Sequence, residues 1–600
     1  MGGGLTLALP ALLPAALGVE RSLTGRRWLH AAADDRVGLA IAQRLGAPEI
    51  VGRLLAARGV DAEAAAGFLE PTLRALLPDP SVLADLDAAA ARLADAARRG
   101  ETVGVFGDYD VDGACSGALM ASFLRGLGCP VLTHVPDRLA EGYGPNLPAL
   151  QDLVAGGAGL IVCVDCGTAA GDVLAGLGRA ADVIVIDHHK SESLPRGITA
   201  TVNPNRLDCA SGLGGLCATG VACLVAIGTV RTLRRAGFFA ARPEPDMLAL
   251  LDMVALATVC DVMPLTGVNR ALVTQGLKVM ARRERPGIAA LLEVAQITAR
   301  PSAATLGFAL GPRINAAGRI SEADLGMRLL MCDDPVEARA LAATLDAVNR
   351  QRQQVEAGVL DAAMQTAGEQ LQAGHAAVLV AGLNWHAGVV GIVAGRIKER
   401  FNRPACVAAL ADGVAKGSGR SVTGLDLGGA VIAARQAGIL STGGGHAMAA
   451  GFSLPESRLA AFHDFLDERM AAARALPSVA DLAVEGTLAV GGCTESLALQ
   501  IARLAPFGPG NAEPVLALPR ARVVRADRVG KDSATVRAFI EGEGGGTRIK
   551  AMLFRAKEGP LPDALLARTP PPLHLAGHLR AEEWNGSLTT SFIVTDAAIP

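Results

Sequence analysis

The stretch Thr102-Val103-Gly104-Val105-Phe106-Gly107-Asp108-Tyr109-Asp110-Val111-Asp112-Gly113 decides the fold. A short apolar run stops at a turn carrying Asp108, Asp110 and Asp112, and a helical pattern, Ser116 to Leu127, follows. Working outward, the alternation repeats. Val131 to Val135 reads as a strand, Asn146 to Ala155 as a helix, Leu160 to Val164 as a strand, Ala170 to Ala180 as a helix and Val183 to Ile186 as a strand. Continuous Val and Ile runs separated by helices predict a doubly wound α/β domain, a parallel sheet covered on both faces. Ligands of such sheets gather beyond the carboxyl ends of the strands.

Those ends carry chemistry. Asp108, Asp110 and Asp112 follow the first strand, Asp165-Cys166-Gly167 the third and Asp187-His188-His189 the fourth, and the apolar run Met253 to Val259 ends in Cys260-Asp261. So many like charges on one sheet edge would repel and be costly to desolvate. A pair of divalent cations removes the problem, and oxygen-rich ligands with one or two imidazoles suit Mg²⁺ or Mn²⁺ better than a structural zinc. Two such ions can activate a water and clamp a phosphodiester, so phosphoester hydrolysis is the expected reaction class. Read singly, these residues have plainer explanations. The Asp-rich turn opens like an EF-hand, Asp165 could cap a helix and His188 could be a surface histidine. The EF-hand reading fails because Leu119 stands where the loop's closing Glu belongs and a strand precedes the turn. Taken jointly and in order, the residues point to a catalytic metal site.

Composition sets the frame. At 600 residues the chain exceeds one ordinary core, so several domains of roughly 100 to 200 residues are expected. Half the residues are apolar and 19% are charged, a globular balance. Aromatics are only 3%, which leaves few candidates for stacking on bases. A net charge of −3 gives no global sign of a nucleic-acid binder, so phosphate contacts must come from local clusters such as Lys278 to Arg285, Arg396 to Arg403 and Lys416 to Arg420. Eleven cysteines at irregular spacing point to a reducing compartment. Cys163 and Cys166 read as part of a buried strand and its loop, without the second Cys/His pair a zinc site needs. The apolar stretch Leu5 to Val19 lacks a basic flank and is short for a membrane span, so it is read as a disordered extension and the protein as cytoplasmic, without membrane association.

The D-x-D-x-D-G loop, the later Asp165, the Asp187-His188-His189 triplet and Asp261 together resemble the motifs of the DHH phosphoesterase family. The resemblance implies that Asp110, Asp112, Asp165, His188 and Asp261 hold metal, with Asp108 a further ligand or a support. It implies that His189 faces the substrate phosphate as general acid or charge stabiliser, and that Asp187 orients the imidazoles. Three more segments, Arg138 to Asn146, Ala257 to Leu265 and Gly311 to Arg319, are similar to those of family members that degrade single-stranded DNA from a 5′ end. Beyond Asp334 a polar helical stretch reaches about Gln372, with Leu341, Leu345 and Val348 on one face, and reads as a connector. Trp385 to Arg396 resembles the start of the family's DHHA1 domain, and Gly443-Gly444-Gly445-His446 with Ala450-Gly451 its glycine-rich signature. Paired with a loop at Lys416 to Ser421, those glycines suggest a phosphate cradle. The resemblance assigns DNA binding to Arg138, Arg313, Ser418, Arg420 and His446.

From about Ser478 the pattern changes to short strands: Glu485 to Val490, Val515 to Leu518, Ala521 to Ala526, Ala534 to Ile540, Arg548 to Phe554, Leu573 to Leu579 and Leu588 to Val594. They predict a small barrel. Leu504 to Pro514 is similar to the family's entry into an OB-type domain, which would bind single strands, with Phe554 and Trp584 as stacking candidates. Cys115 and Ala387 depart from the family's usual Thr and Pro and bear on packing.

The expected organisation is a disordered extension over 1–20, a helical region over 21–100, the DHH catalytic domain over 101–333, a connecting helix over 334–373, a smaller α/β DHHA1 domain over 374–477 and an OB-like β-barrel over 478–600. The expected function is 5′ to 3′ hydrolysis of single-stranded DNA with two Mg²⁺ or Mn²⁺ ions, in repair and recombination. A single-strand-binding protein and a helicase are the expected partners. The rival within the family is an oligoribonuclease, cyclic-dinucleotide phosphodiesterase or pyrophosphatase, which would not need the barrel. A catalytically dead scaffold would not need intact ligands at every motif.

Overall fold

The computed structural model describes residues 14–138, 140–530, 533–556, 558–584 and 587–600, and the side chains of all of these but 583, 584 and 587. The catalytic sheet is five-stranded and wholly parallel, in the order Val131–His134, Val103–Gly107, Leu160–Val164, Asp182–Ile186, Ala200–Val202. Alternation along each strand splits its side chains between two cores. Val103, Val105, Val162, Val164, Ile184 and Ile186 join the helices Leu86–Arg99, Val111–Gly126 and Ala218–Arg235 on one face. Phe106, Ile161, Cys163, Val183 and Val185 meet the helices Leu147–Ala155 and Gly171–Ala175 on the other. The doubly wound expectation is borne out, although the expected Ala170 to Ala180 helix contracts to Gly171–Ala175.

The segment before Asp261 departs from the sequence reading. The apolar run before Asp261 is a helix, Leu251–Cys260, and Asp261 is its C-cap. Asp261 therefore reaches the site from a helix end rather than a strand end. A continuous apolar run fits a buried helix as well as a buried strand, and this helix is buried through most of its length.

A single 38-residue helix, Pro335–Gln372, joins the catalytic domain to a second sheet, with Asp334 as its N-cap. That sheet has the order Thr442–His446, Ala449–Pro455, Val414–Arg420, Ala405–Ala411, Val378–Leu383. Two expected loops are strands here. Lys416 to Arg420 lies inside Val414–Arg420, and the glycine-rich Thr442–His446 is an edge strand paired antiparallel with Ala449–Pro455. Small residues gave both segments the composition of loops.

The C-terminal strands close into a barrel. Leu516–Val529 pairs with Thr535–Glu541 on one side and with Leu573–Trp584 on the other, and Ile549–Leu553 and Ser587–Ala598 complete the ring. The two strands expected at Val515 to Leu518 and Ala521 to Ala526 are one strand with register shifts. Residues 1–13 of the expected extension lie outside the described residues. Residues 14–20 are structured: Ala16 and Val19 are buried against Trp28. Trp28–His30 pairs in parallel with Leu482–Val484, and the Trp28 indole donates to buried Asp596 at 2.9 Å. The helices Asp35–Leu45 and Glu49–Ala56 also pack on the barrel core, so the N-terminal region belongs spatially with the C-terminal one.

Candidate active site

Asp108 leaves the end of Val103–Gly107 and is buried. Gly113 makes the tight return possible, because a Cβ there would lie 2.3 Å from the Asp108 carbonyl oxygen. Asp110 caps the helix Val111–Gly126, its Oδ1 accepting from the amides of Asp112 at 2.9 Å and Gly113 at 3.0 Å. Asp112 is held by the start of the helix Ala218–Arg235: Oδ2 accepts from the Ala218 amide at 2.7 Å, and Oδ1 from the Thr219 amide at 2.9 Å and hydroxyl at 2.6 Å. Asp165 follows Leu160–Val164 at φ 60°, a conformation disfavoured for a non-glycine residue and typical of functional sites.

His188 Nε2 faces the whole group, 3.4 Å from Asp165 Oδ1, 3.5 Å from Asp261 Oδ2 and 3.8 Å from Asp112 Oδ2. The potential ligand atoms fall into groups whose members lie within 4.8 Å of one another: Asp108, Asp110 and Asp165; Asp112, His188 and Asp261; and Asp165, His188 and His189. The first two groups share no residue, and each offers three ligand atoms to a cation.

The chemistry of these groups fits the metal. Asp108 Oδ1, Asp165 Oδ1 and Asp261 Oδ2 are buried and lack a hydrogen-bond partner among the described residues. Buried polar atoms are normally satisfied, so three orphaned carboxylate oxygens in one place call for a ligand. Burial and then mutual repulsion push the Asp108, Asp110, Asp165 and Asp261 carboxyls above the ordinary carboxylate range. Divalent cations would supply the missing positive charge.

Asp187 is placed differently. Its Oδ1 accepts from the amides of His188 at 2.7 Å and His189 at 3.1 Å, and Oδ2 from the Thr168 amide at 3.1 Å. It also binds His189 Nδ1 at 2.8 Å. Burial would raise its pKa, but the hydrogen bond and charge of His189 outweigh that and hold it at about 2. Burial would likewise lower His189, yet Asp187 lifts it to about 9. With Nδ1 bound to Asp187, the imidazole turns Nε2 away from Asp187.

Arg138, expected from the sequence, and two residues outside the expected set, Tyr143 and Arg319, complete the site. The Tyr143 hydroxyl donates to the Asp165 carbonyl at 3.1 Å and stands 3.2 Å from His189 Nδ1. Arg138 lies over the Tyr109 ring, 5.2 Å from its centroid. Arg319 donates to the Gly388 carbonyl at 2.9 Å and is lowered to about 10 by burial and then by Arg138, Arg352 and Arg420. Arg138, Arg319 and Arg420 form no salt bridge among the described residues. Clustered cations without a carboxylate partner suit a bound phosphate.

Arg420, Ala449 and His446 stand opposite one another across the second sheet, as do Ser418, Gly451 and Gly444. Ser418 and Arg420 therefore rise from a face floored by glycine, and Arg420 Nη1 donates to Ser418 Oγ at 2.9 Å. Above them the helix Val390–Phe401 begins. A Cβ on Gly391 would lie 3.1 Å from Ser418 Oγ and 3.2 Å from Arg420 Nη2, so glycine lets the helix start meet the pair. Arg313 is not in this group: it is tied to Asp346 of the connector at 2.9 Å and to the Ala309 carbonyl at 2.7 Å. Among the stacking candidates Phe554 is half exposed, while the Trp584 side chain lies outside the described residues.

A carboxylate and imidazole edge beside an arginine cluster that a second domain completes is the architecture of a DHH phosphoesterase. Residues 102–258 match the DHH family N-terminal domain, 374–472 the DHHA1 domain and 484–596 the RecJ OB domain. The chain belongs to the RecJ family. It is 38% identical to the single-stranded-DNA-specific exonuclease RecJ of Dickeya dadantii and 37% identical to that of Escherichia coli, in each case over 91% of this chain and 95% of the relative. Its structure is similar to that of Thermus thermophilus RecJ in complex with Mn²⁺, with a TM-score of 0.77, 29% identity and coverage of 96% of this chain and 79% of that one. The Mg²⁺ complex of the same protein aligns with a TM-score of 0.71 at 28% identity, over 96% and 78% of the two chains.

Proposed function

We propose that this protein is a single-stranded-DNA exonuclease that hydrolyses phosphodiester bonds from a 5′ end, with two Mg²⁺ or Mn²⁺ ions at the Asp and His edge. The observation that carries the reading is the pair of ligand groups with no shared residue, Asp108, Asp110 and Asp165 beside Asp112, His188 and Asp261, with orphaned buried oxygens in both. When bound, the cations supply an activated water and offset the charge of the phosphodiester.

The remaining work falls to the chain. Asp187 holds the His189 imidazole so that Nε2 presents a proton to the departing oxygen or to the phosphate charge. Tyr143 fixes the Asp165 backbone in its left-handed conformation. Ser418, Arg420 and the start of Val390–Phe401 receive the terminal 5′ phosphate, and Arg138 and Arg319 bind the phosphates between that end and the reacting bond. The barrel grips the strand beyond it. A small-substrate enzyme would have no use for that barrel.

Repair and recombination in the cytoplasm are the proposed setting, with a single-strand-binding protein and a helicase as partners that deliver the strand. No helix among the described residues is long and apolar enough to cross a membrane. The test is digestion of single strands labelled at one end or the other, with Mg²⁺, Mn²⁺ or EDTA. Early release of the 5′ label, abolished by EDTA, is expected. Early release of the 3′ label would reverse the polarity.

A further inference from the structure

Phe308 is 83% exposed, more than any other aromatic side chain among the described residues. It lies in Leu306–Leu310, a π-helical turn directly before the helix Gly311–Ile320. Such turns are rare and concentrate at functional sites. The turn is fastened where Asp261 emerges: Cys260 Sγ donates to the Leu306 carbonyl at 3.5 Å, and a Cβ on Gly307 would lie 3.5 Å from Val259 Cγ1. Arg313 holds its other end through the Ala309 carbonyl. The backbone is therefore fixed on all sides, and the ring is left in solvent without a packing role.

Val262, the residue after Asp261, is 65% exposed at φ 60°, an outlier for a β-branched side chain. Three residues later the chain touches the barrel entry, where the Leu265 amide donates to the Pro509 carbonyl at 2.7 Å. Gly510 is equally close, its Cβ position 3.3 Å from both Pro264 Cβ and Thr266 Cγ2. The segment Asp261 to Thr266 thus links the Asp and His edge to the barrel entry.

We infer that Phe308 is an apolar step on which one base of the single strand stacks between the barrel and the reacting phosphate. The inference rests on the exonuclease reading and adds to it a residue that positions the strand by its base. In that reading Arg138, Arg319 and Arg420 hold phosphates, which turns bases toward other walls, and aromatic faces accept any base without sequence preference.

The experiment compares wild-type enzyme, Phe308→Ala and Phe308→Trp on a set of single strands, each carrying one abasic site at a successive position from the 5′ end. Wild-type kcat/KM should dip at one position. Phe308→Ala should lower kcat/KM about five- to hundredfold on the intact strand and show no further dip at that position. Phe308→Trp should restore both rate and dip, and thermal melting should be unchanged because the ring is not packed. Wild-type rates in Phe308→Ala, or a dip that persists in it, would overturn the step while leaving the exonuclease reading intact. A wild-type enzyme inert on the intact strand would overturn that reading and the step with it.

Discussion

At Asp110 one carboxylate caps a helix and is the proposed hold on a cation, and the two roles can be separated. Asn is as good an N-cap as Asp but lacks the charge. Asp110→Asn should keep circular dichroism and melting close to wild type while cutting kcat by about a thousandfold or more, the scale of several kcal/mol of lost charge stabilisation. Asp110→Ala should lose the activity and also about 0.5–2 kcal/mol of stability. Near-normal turnover in a folded Asp110→Asn would remove this residue from the metal site. Arg420 is tested by direction instead. Its charge-assisted contact, worth about 1.5–3 kcal/mol, predicts a ten- to hundredfold fall in kcat/KM for Arg420→Ala on 5′-phosphorylated strands. A 5′-hydroxyl strand should suffer less, and equal losses on both would return Arg420 to a general backbone contact. The carboxylates were readable because each follows an apolar run that stops. Arg319 and Tyr143 were not, since what marks them is Gly388 and Asp165, many residues away in the chain. Arg313, expected to meet DNA, faces Asp346 on a helix whose orientation no local pattern reveals.

Among the elements, the helix Leu251–Cys260 shows how position is transmitted to the site. The helix Gly267–Met280 crosses it so closely that a Cβ on Gly276 would lie 2.1 Å from the Leu251 carbonyl and 2.5 Å from Ala255 Cβ. Gly276→Val must push the first helix aside, and Asp261 caps the end of that helix. Overpacking of this kind costs about 1–3 kcal/mol, and melting should fall by about 2 to 4 °C for each kcal/mol in a domain of this size. Turnover should fall more than KM rises, because the displaced group is the proposed metal ligand and not a strand contact. Unchanged kinetics in a destabilised variant would mean that Asp261 is positioned by its own loop. The misreadings at this scale share one cause. Local composition reports burial and small size, so Met253 to Val259 resembled a strand, while Lys416 to Arg420 and Thr442 to His446 resembled loops. Their conformations are set by partners: Ala449–Pro455 pairs with both glycine-bearing strands.

Over the whole molecule, the two ends of the chain form one unit that no linear division of domains exposes. Ile41, Val51, Leu54 and Leu55 share a core with Leu497, Leu516, Ile540 and Phe592 of the barrel region. The catalytic domain joins this unit through Arg270, 1% exposed, whose guanidinium lies 4.0 Å from the Phe68 ring centroid. It donates to the carbonyls of Phe68 at 2.8 Å, Leu504 at 2.9 Å and Ala505 at 2.8 Å. The barrel was legible because the pattern changes to short strands from about Ser478, while the second domain was read from its resemblance to the family. The closure of the two termini was not, since Trp28 and Asp596, or Phe68 and Arg270, carry no signal of each other. This closure decides how the barrel's role must be tested. Removing 478–600 alone strips the apolar partners from residues 14–69, so that variant should aggregate or melt early whatever the barrel does for DNA. Removing 1–70 together with 478–600 leaves the helix Leu73–Leu76 with the catalytic core and exposes Arg270 to water. The double deletion should stay monodisperse, cleave a short oligonucleotide near the wild-type rate and lose affinity for long strands. The measurements are size-exclusion behaviour, melting and turnover on short and long strands. A folded double deletion that loses short and long substrates alike would show that the terminal unit braces the Asp and His edge itself, through the segment Asp261 to Arg270, rather than lending grip.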